Sequence, residues 1–353
     1  MNLTRRDFIA GVGTAGMAAV LGGPQQAHGM AEQPARGQHG SSKPFSFVHL
    51  TDQHITTRRH GAEGYRKCIE SINALRPRPA FVLMGGDMAF DGLYTAKDNF
   101  EEQIRLYRTI SDELDMPYYH CMGNHDVLGL SARRKVPVTD PDFGKKMIMD
   151  RLEWPESYYS FDVGGWHFVV LDCMHIIEGK DGPTYEPRIG PEQLEWLAYD
   201  LGAAAGRPTI AVTHVAAFCN VGQINGDPAY KAMDGHMVLW DTRELRTVLE
   251  RHKVKALLQG HSHRPEDFRY NDVWYVTSPA ASAAWWAGAW TGAEPGYTVV
   301  TCDKDQFAWQ GVYYGWEAQL DPQDELERNR NAERAAFAAE QQRLLEKERA
   351  GRK

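Results

Sequence analysis

The chain has 353 residues and a formal net charge of -8 at pH 7. This charge provides no general attraction to nucleic acids or to anionic membranes, and the sequence carries no strong nucleic-acid signal. A hydrophobic content of 42% is sufficient for a large core, in one large domain or two small ones. The five cysteines form no CxxC pair, which excludes a disulfide framework and predicts mostly buried thiols.

Residues 1–31 are predicted to be a bacterial twin-arginine export signal. The pair Arg5-Arg6 precedes a mildly apolar run from Ile9 to Leu21, which is too short and too weak for a transmembrane segment. The pattern predicts that the twin-arginine export machinery carries the protein to the periplasm or otherwise out of the cytoplasm. The alternative is a disordered basic leader. Residues 32–43 are polar and glycine-rich, and are predicted to be a flexible linker.

The next part of the chain alternates between strands and helices. Helices are predicted over 63–75 and from Phe100 to Leu114, where apolar residues recur at helical spacing. The predicted strands are Phe45–Leu50, Ala80–Met84 and Tyr118–Met122. This β-α-β-α-β order indicates a largely parallel α/β core, in which ligands bind beyond the carboxyl ends of the strands.

The second half of the chain mixes a hairpin with further strands and helices. Gly164-Gly165 is the predicted hairpin turn, Pro191 begins a helix, and Asp241 or Thr242 caps another. The predicted strands here are Tyr158–Val163, Trp166–Leu171, Thr209–Thr213, Val254–Leu258, Val273–Thr277, Thr298–Thr301 and Phe307–Tyr313. We predict one domain over residues 44–320, followed by a charged helix or tail over 321–353.

Five short motifs place metal-binding side chains directly after predicted strands. Their mixture of oxygen and imidazole ligands suits a pair of transition-metal ions better than a single structural zinc. A carboxylate can contact two cations, and Asp87 is the candidate for that bridge because no second ligand stands beside it. A two-metal site indicates hydrolysis of a phosphate ester. The motifs are Asp52-Gln53-His54, Gly86-Asp87, Gly123-Asn124-His125-Asp126, His214 and Gly260-His261-Ser262-His263.

This set resembles the signature of the calcineurin-like metallophosphoesterase superfamily, which is DxH, GD, GNHD/E, H and GHxH in that order. The resemblance implies an α/β fold, namely a four-layer α/β/β/α sandwich of two mixed sheets with a dinuclear metal site at the strand ends. It also implies two metal ions, for which Mn, Fe and Zn all suit the ligands, and a bridging hydroxide that attacks phosphorus. One ion would be held by Asp52, His54, Asp87 and His263, and the other by Asp87, Asn124, His214 and His261.

The resemblance assigns a catalytic role to His125, which would stabilise the transition state or protonate the leaving group without binding a metal. Asp126 is a second catalytic candidate, which either orients His125 or caps the local backbone. Purple acid phosphatases carry glycine where this chain has His54, and tyrosine in the region of Phe90. The arrangement looks closer to the bacterial cyclic-nucleotide-phosphodiesterase-like branch.

These features predict an exported, dinuclear metal-dependent phosphoesterase acting on a small phosphomonoester or phosphodiester. One alternative is a lipid-linked pyrophosphate or glycerophosphodiester hydrolase of the same fold. The other is a non-catalytic, metal-binding member of the superfamily, which the complete ligand set disfavours. The substrate itself stays open, because fold and motifs do not determine it.

Several other residues have two interpretations. Ser278–Trp290 contains small residues and three tryptophans, which either line a pocket for an apolar leaving group or pack in the core. Asp172 either contacts a ligand residue or caps a strand end. The remaining histidines are predicted to be structural or exposed, with His60, His175 and His236 as exceptions in loops near the strand ends.

Overall fold

The computed structural model describes residues 43–325 except 205, 221–230, 232–235 and 291. The predicted export signal lies outside the described residues, as do the predicted linker up to residue 42 and the predicted tail from residue 326 onward. Within the described part of the chain, no helix combines the length and the apolar character needed to cross a membrane.

The first sheet contains three parallel strands and two antiparallel ones. Its strands are β1 (Phe45–Leu50), β2 (Val82–Met84), β3 (Tyr118–His120), β12 (Gly296–Asp303) and β13 (Gln306–Tyr313). The strand order is β13-β12-β1-β2-β3, with β1, β2 and β3 parallel to one another. β12 pairs antiparallel with β1, and β13 with β12. The three parallel strands therefore end at the same edge of the sheet.

The second sheet is also mixed. It consists of β4 (Tyr159–Val163), β5 (Trp166–Val170), β8 (Thr209–Val212), β9 (Ala256–Gln259), β10 (Glu266–Tyr270) and β11 (Val273–Thr277). The order is β10-β11-β9-β8-β5-β4, and β5, β8, β9 and β11 are parallel. A separate two-stranded ribbon is formed by β6 (Met174–Gly179) and β7 (Gly182–Pro187).

Five α-helices in the described part of the chain lie between these strands in sequence. They are α1 (Gly61–Asn73), α2 (Lys97–Ser111), α3 (Lys146–Arg151), α4 (Pro191–Ala203) and α5 (Thr242–Arg251). In α1, the side chains of Tyr65, Cys68, Ile69 and Ile72 recur at intervals of three or four residues and are buried. α4 begins at Pro191, as predicted, because the first turn of a helix needs no donor from that residue.

Alternate side chains of each strand enter two different cores. Between the sheets, the ring of Phe168 lies 5.2 Å from that of Phe47 and 5.1 Å from that of Phe81. On the other face of β1, Val48 and Leu50 join the apolar side chains of the helices. The second sheet is covered in the same way by α4 and α5. The predicted α/β/β/α sandwich of two mixed sheets is therefore confirmed.

Two features of the fold were not predicted from the sequence. The ribbon β6-β7 contains two prolines and several charged residues, and β10 is a charged, mostly exposed edge strand without an apolar run. The predicted hairpin is present as β4 and β5, and its turn residues Gly164 and Gly165 have φ values of 56° and 82°. Only residues without a side chain adopt such φ values at little cost.

Candidate metal centre

The parallel strands of the first sheet bring four predicted ligands to one edge. Asp52 and His54 follow β1, Asp87 follows β2, and Asn124 begins a short 3-10 turn after β3. The backbone N–H groups of Asp52 and His54 donate to the carbonyl oxygens of Gly86 and Asp87, at 2.9 Å each. These bonds continue the parallel pairing beyond the strands and hold the first two motifs side by side.

The second sheet supplies the three remaining ligands. His214 follows β8, and His261 and His263 follow β9. The backbone N–H of His261 lies 3.1 Å from each carboxylate oxygen of Asp52, to which it donates across the gap between the sheets. The N–H of Gly260 donates to the carbonyl oxygen of His214 at 2.9 Å. Neither sheet can form the site alone.

The backbone is strained at most of these ligands. A left-handed φ between 41° and 68° is found at Asp52, His54, Asp87, His261 and His263. Residues with a side chain rarely adopt this region, at a cost of about 1–3 kcal/mol each, and such residues cluster at functional sites. The hydrogen bonds between neighbouring strand ends keep these residues in place.

Asp52, His54 and His263 form the first group of potential ligands. Their ligand atoms lie within 4.8 Å of one another. The Nε2 atoms of His54 and His263 are 3.0 Å apart, and His263 Nε2 is 3.3 Å from Asp52 Oδ1. All three side chains are buried. Lone pairs that face one another in a buried site require a proton or a cation between them.

Asp87, His214 and His261 form the second group, with ligand atoms again within 4.8 Å. His214 Nε2 lies 3.0 Å from Asp87 Oδ2, and the same oxygen lies 3.6 Å from His54 Nε2. Asp87 therefore contacts ligands of both groups, which is the position that a bridging carboxylate requires.

Among the predicted ligands, the buried polar atoms without a hydrogen-bond partner include Asn124 Oδ1 and His261 Nε2. Leaving such atoms unpaired costs about 1–3 kcal/mol each, and binding to a metal ion would satisfy them. Carboxylate, amide and imidazole ligands suit Mn, Fe and Zn. The seven predicted ligands therefore fit a site for two ions.

Backbone carbonyl groups orient the imidazole rings. Nδ1 of His214 donates to the carbonyl oxygen of Gly85 at 2.9 Å, and Nδ1 of His263 donates to that of Ala283. These bonds leave Nε2 of each ring to face the centre of the site. Such outer hydrogen bonds fix the tautomer of a ligating histidine and increase its basicity.

His125 lies beside the two groups and remains partly accessible. Its ring centroid is 4.8 Å from that of His54, and its Nδ1 donates to the carbonyl oxygen of Phe90 at 2.8 Å. Its backbone N–H donates to Asp87 Oδ1 at 2.7 Å. The potential ligand atoms of His125, His54 and Asp87 also lie within 4.8 Å of one another. The ring is therefore held where it can reach a group bound at the site.

Asp126 caps the backbone of the site. Its carboxylate accepts hydrogen bonds from the N–H groups of Asp87, Ala89 and Gly123, at 2.9, 3.0 and 2.8 Å. Burial and the negative charge of Asp87 raise the pKa of Asp126 to about 6. Of the two interpretations from the sequence, these contacts favour the cap, because the ring nitrogen of His125 is bound by Phe90 instead.

The two imidazoles of the second group have different pKa values because their surroundings differ. Burial lowers the pKa of His214, but the carboxylates of Asp87 and Asp52 outweigh burial and raise it to about 9. Burial, together with the charge of His214, lowers the pKa of His261 to about 3. In the absence of a metal, His214 therefore holds a proton that metal binding must displace.

The Trp-rich segment is divided between the core and the edge of the candidate metal centre. Trp286 is fully buried, and its Nε1–H donates to the carbonyl oxygen of His54 at 3.0 Å. Its ring lies against Gly61 and Gly64 of α1, where an added Cβ would come within 2.9 and 2.4 Å of the indole. Trp285, in contrast, lies beside His54 on the side of the metal centre.

The other residues with two interpretations make structural contacts or lie away from the potential ligands. Asp172 Oδ1 accepts the N–H of Met174 at 2.9 Å, and the carboxylate pairs with Lys145, so it caps the strand end. Among the described residues, His60, His175 and His236 belong to none of the groups of potential metal ligands. Four cysteines are buried, as predicted, and Cys219 is half-buried.

Sequence reasoning missed Thr51, which supports the first motif. Its Oγ1 lies 2.8 Å from Asp52 Oδ2, to which it donates, and 3.2 Å from the carbonyl oxygen of Gly85. His49, which was predicted to be structural or exposed, is buried, and its Nδ1 lies 2.7 Å from Ser278 Oγ. Both residues belong to or follow β1, one or three positions before Asp52, and this proximity is the one signal that could have identified them.

The fold and the clustered ligands are those of a metallophosphoesterase. The calcineurin-like phosphoesterase family model matches residues 45–265, and the chain belongs to that family. Among solved structures, the chain is similar to GAP50, the anchor in the inner membrane complex of Plasmodium. That similarity has a TM-score of 0.50 and 15% identity, over 78% of this chain and 86% of the other, and it concerns the fold alone.

Similar curated proteins include phosphatases and phosphodiesterases. The serine/threonine-protein phosphatase CPPED1 of Bos taurus is 27% identical over 61% of this chain. The matched region spans 63% of the length of that protein. The 3',5'-cyclic-nucleotide phosphodiesterase alr5338 of Nostoc sp. is 24% identical, over 67% of this chain and 78% of that protein. The probable glycerophosphodiester phosphodiesterase GpdQ of Arcobacter nitrofigilis is also 24% identical, with the same coverage.

Proposed function

We propose that the protein is an exported, metal-dependent phosphoesterase that hydrolyses a phosphomonoester or a phosphodiester. The observation that carries the proposal is the convergence of seven potential ligands and one accessible histidine at one edge of two sheets. The ligands are Asp52, His54, Asp87, Asn124, His214, His261 and His263. A complete ligand set beside a free histidine favours an enzyme over a non-catalytic metal-binding protein.

The residues of the site would hold two ions, with Asp87 between them. Two bound metal ions would supply an activated water nucleophile and would neutralise charge on the phosphoryl oxygens. The hydrogen bonds from His261 N–H to Asp52 and from His125 N–H to Asp87 keep both carboxylates oriented before substrate binds. Such preorganisation reduces the reorganisation needed in the transition state.

His125 is the residue that handles the proton in this proposal. The hydrogen bond from Nδ1 to the carbonyl of Phe90 leaves Nε2 of His125 as the reactive atom, and an imidazole nitrogen can give a proton to a leaving oxygen. A protonated Nε2 stabilises charge on the phosphoryl group and then protonates the leaving oxygen. Asp126 supports this geometry through the backbone of Gly123 and not through the ring of His125.

The relatives favour no single substrate. One is named a serine/threonine-protein phosphatase, another a cyclic-nucleotide phosphodiesterase and a third a probable glycerophosphodiester phosphodiesterase. We therefore keep a second candidate, which is hydrolysis of a glycerophosphodiester or a lipid-linked pyrophosphate. The name of the third relative supports the glycerophosphodiester. The same site suits these reactions because each breaks a bond from phosphorus to oxygen.

A substrate panel tests the proposal. The full chain is loaded with Mn, Fe or Zn and assayed on p-nitrophenyl phosphate, bis-p-nitrophenyl phosphate, cyclic nucleotides and glycerophosphodiesters. We expect turnover of at least one ester, and its loss after chelation or in Asp87→Ala. Hydrolysis that persists in chelated Asp87→Ala protein, or no hydrolysis with any of the metals, would contradict the proposal.

Export belongs to the same proposal and has its own test. Arg5-Arg6 and the weakly apolar run that follows support the twin-arginine route, which carries folded proteins. We expect the full chain to accumulate outside the cytoplasm of a bacterium with that route, and to remain inside as the double variant Arg5→Lys, Arg6→Lys. Equal export of both proteins would contradict this part.

A further inference from the structure

Two tryptophans form an aromatic corner beside the metal centre. The ring centroid of Trp285 lies 4.3 Å from that of His263 and 5.5 Å from that of His54. Trp290 meets Trp285 edge to face, at 5.3 Å and an interplanar angle of 84°, and lies 6.5 Å from His263. The corner is therefore built directly against the ligands of the first group.

The corner is open to solvent. Trp290 is 36% exposed and Trp285 is half-buried, whereas Trp286 between them in sequence is fully buried. Burying an indole stabilises a fold, so leaving two of them partly in water at a polar site has no benefit for packing. Exposed aromatic surface next to a catalytic centre is typical of ligand-binding sites.

Hydrogen bonds anchor the Trp285 side of the corner. Arg59 Nη1 donates to the carbonyl oxygen of Trp285 at 3.1 Å, and Arg59 Nη2 is paired at 3.0 Å with Asp324, which is buried. On the following residue, the buried ring of Trp286 is fixed by its bond to His54. A platform that is ordered before binding costs a ligand little entropy.

We propose that Trp285 and Trp290 form an aromatic subsite for a planar group on the alcohol side of the ester, either a nucleobase or an aryl group. The inference rests on the proposed function, because the phosphate end of the ligand lies at the metal centre. His125 and Trp285 are both neighbours of His54, with ring centroids at 4.8 and 5.5 Å. An aromatic leaving group therefore reaches the corner while its ester oxygen lies near His125.

Binding of unreactive ligands to the metal-loaded full chain tests the subsite by calorimetry. Phosphonates are used because their bond from phosphorus to carbon is not hydrolysed. Phenylphosphonate is compared with cyclohexylphosphonate, and the phosphonate analogue of AMP with that of ribose 5-phosphate. We expect the aromatic member of at least one pair to bind about tenfold more tightly, which is the usual range of base stacking on an aromatic side chain. The pair with the larger preference distinguishes an aryl group from a nucleobase.

The variants separate stacking from a general effect on the site. Trp285→Ala and Trp290→Ala should each reduce the aromatic preference, and Trp285→Phe should retain part of it. Binding of inorganic phosphate and the metal content should stay unchanged in all of them. Tyr199→Ala is the control, because this tyrosine is 68% exposed on α4, outside the Trp-rich segment. If Trp285→Ala does not fold, Trp290→Ala and Trp285→Phe still provide the comparison.

Equal binding of the aromatic and non-aromatic members by the wild-type protein would overturn the subsite alone. A loss of inorganic phosphate binding in Trp285→Ala that matches its loss of aromatic ligands would also overturn it, since Trp285 would then only support the metal centre. Failure of the wild-type protein to bind phosphate or any phosphonate would overturn the proposed function as well.

Discussion

Asp87 and His125 are joined by a hydrogen bond, but the geometry gives them different tasks. Asp87 contacts ligands of both groups, so its carboxylate would hold the ions of the proposed centre. The ring of His125 is half-buried and anchored to a backbone carbonyl, so it is available for proton transfer. The backbone N–H of His125, and not its ring, orients Asp87.

We therefore predict that Asp87→Ala and His125→Ala separate metal binding from chemistry. Asp87→Ala should lose both metal and activity. His125→Ala should keep its metal, because the bond from its backbone N–H to Asp87 remains, and lose about 10²–10⁴-fold in kcat. Metal content by mass spectrometry and turnover of the same ester provide the measurement. Full turnover in His125→Ala would contradict the role of the ring.

The identity of the site residues could be predicted from sequence better than their contacts. Asp52, Asp87 and His214 directly follow or nearly follow apolar strands, and parallel strands end at one edge, so their convergence was foreseeable. For Asp126 the sequence left two roles open, because its three donors come from two separate loops. The left-handed backbone of the ligands could not be predicted from the sequence either, because glycine is the residue that usually indicates this conformation.

Among the elements, the turn after β3 leaves no space for a side chain. A Cβ on Gly123 would lie 2.1 Å from the backbone nitrogen of Asp87 and 2.3 Å from its Oδ1. The turn after β3 and the turn after β2 thus touch at the bridging ligand. The glycine is required here by the close approach of two backbones.

Gly123→Ala should displace Asp87 and reduce metal affinity by at least about tenfold, because even small displacements of ligands weaken a metal site. Gly311→Ala is a matched control, since a Cβ there meets nothing closer than 3.8 Å and the residue lies on β13, at the far edge of the first sheet. Titration with Mn or Zn measures both variants. Equal metal affinity of Gly123→Ala and the wild-type protein would contradict the steric argument.

The described start of the predicted tail, which contains Asp324, is fastened to the residues just before α1. Asp324 Oδ1 pairs with Arg58 and Arg59 at 3.1 and 3.0 Å, and its side chain is 2% exposed. Arg59 also holds the carbonyl of Trp285. Through Arg59, this segment therefore supports the backbone of Trp285 in the aromatic corner.

Asp324→Asn should lower the free energy of unfolding by about 2 kcal/mol, less than for a fully buried pair because Arg58 is half-exposed. Glu325→Gln changes the same charge on the next residue, which is exposed, and should change stability by no more than about 0.5 kcal/mol. Denaturant unfolding of both variants gives the comparison. Equal stabilities would indicate that the ion pair does not fasten the segment.

The elements missed by sequence reasoning share a physical cause. β10 lies at a sheet edge and is mostly exposed, so it needs no apolar alternation. The ribbon β6-β7 has the turn residues Lys180-Asp181, but Pro183 and Pro187 in β7 weaken the sequence pattern of a strand. Elements that bury little apolar surface leave little trace in sequence periodicity.

At the scale of the whole molecule, one buried histidine links stability to pH. Burial lowers the pKa of His120 from 6.5 to about 3, and neither ring nitrogen has a hydrogen-bond partner. The ring packs among the aromatic side chains of Tyr107, Tyr118 and Trp154. The unfolded chain takes up a proton below about pH 6.5 and the folded protein does not, so acid favours unfolding over this range.

His120→Phe should remove this dependence. Below about pH 6.5, the wild-type protein should lose stability as the pH falls, through protonation of His120 in the unfolded chain. Relative to the wild-type protein, the free energy of unfolding of the variant should therefore rise by about 1.4 kcal/mol for each pH unit. Denaturant unfolding of metal-free protein at several pH values measures it. A difference that does not change with pH would contradict the assignment.

The left-handed backbone at five ligands implies that the metal-free protein is less stable than it would be with glycine at these positions. Once metal is removed, glycine should be the better residue at such a position, because only it adopts that φ without cost. We predict that metal-free His261→Gly is more stable than metal-free His261→Ala by about 1 kcal/mol, the reverse of the usual order for these two residues. Thermal unfolding in chelator checks the order, and a more stable alanine variant would contradict it. Each of these five ligands thus occupies a position for which the fold alone would select glycine, and binding of a metal ion would offset the difference.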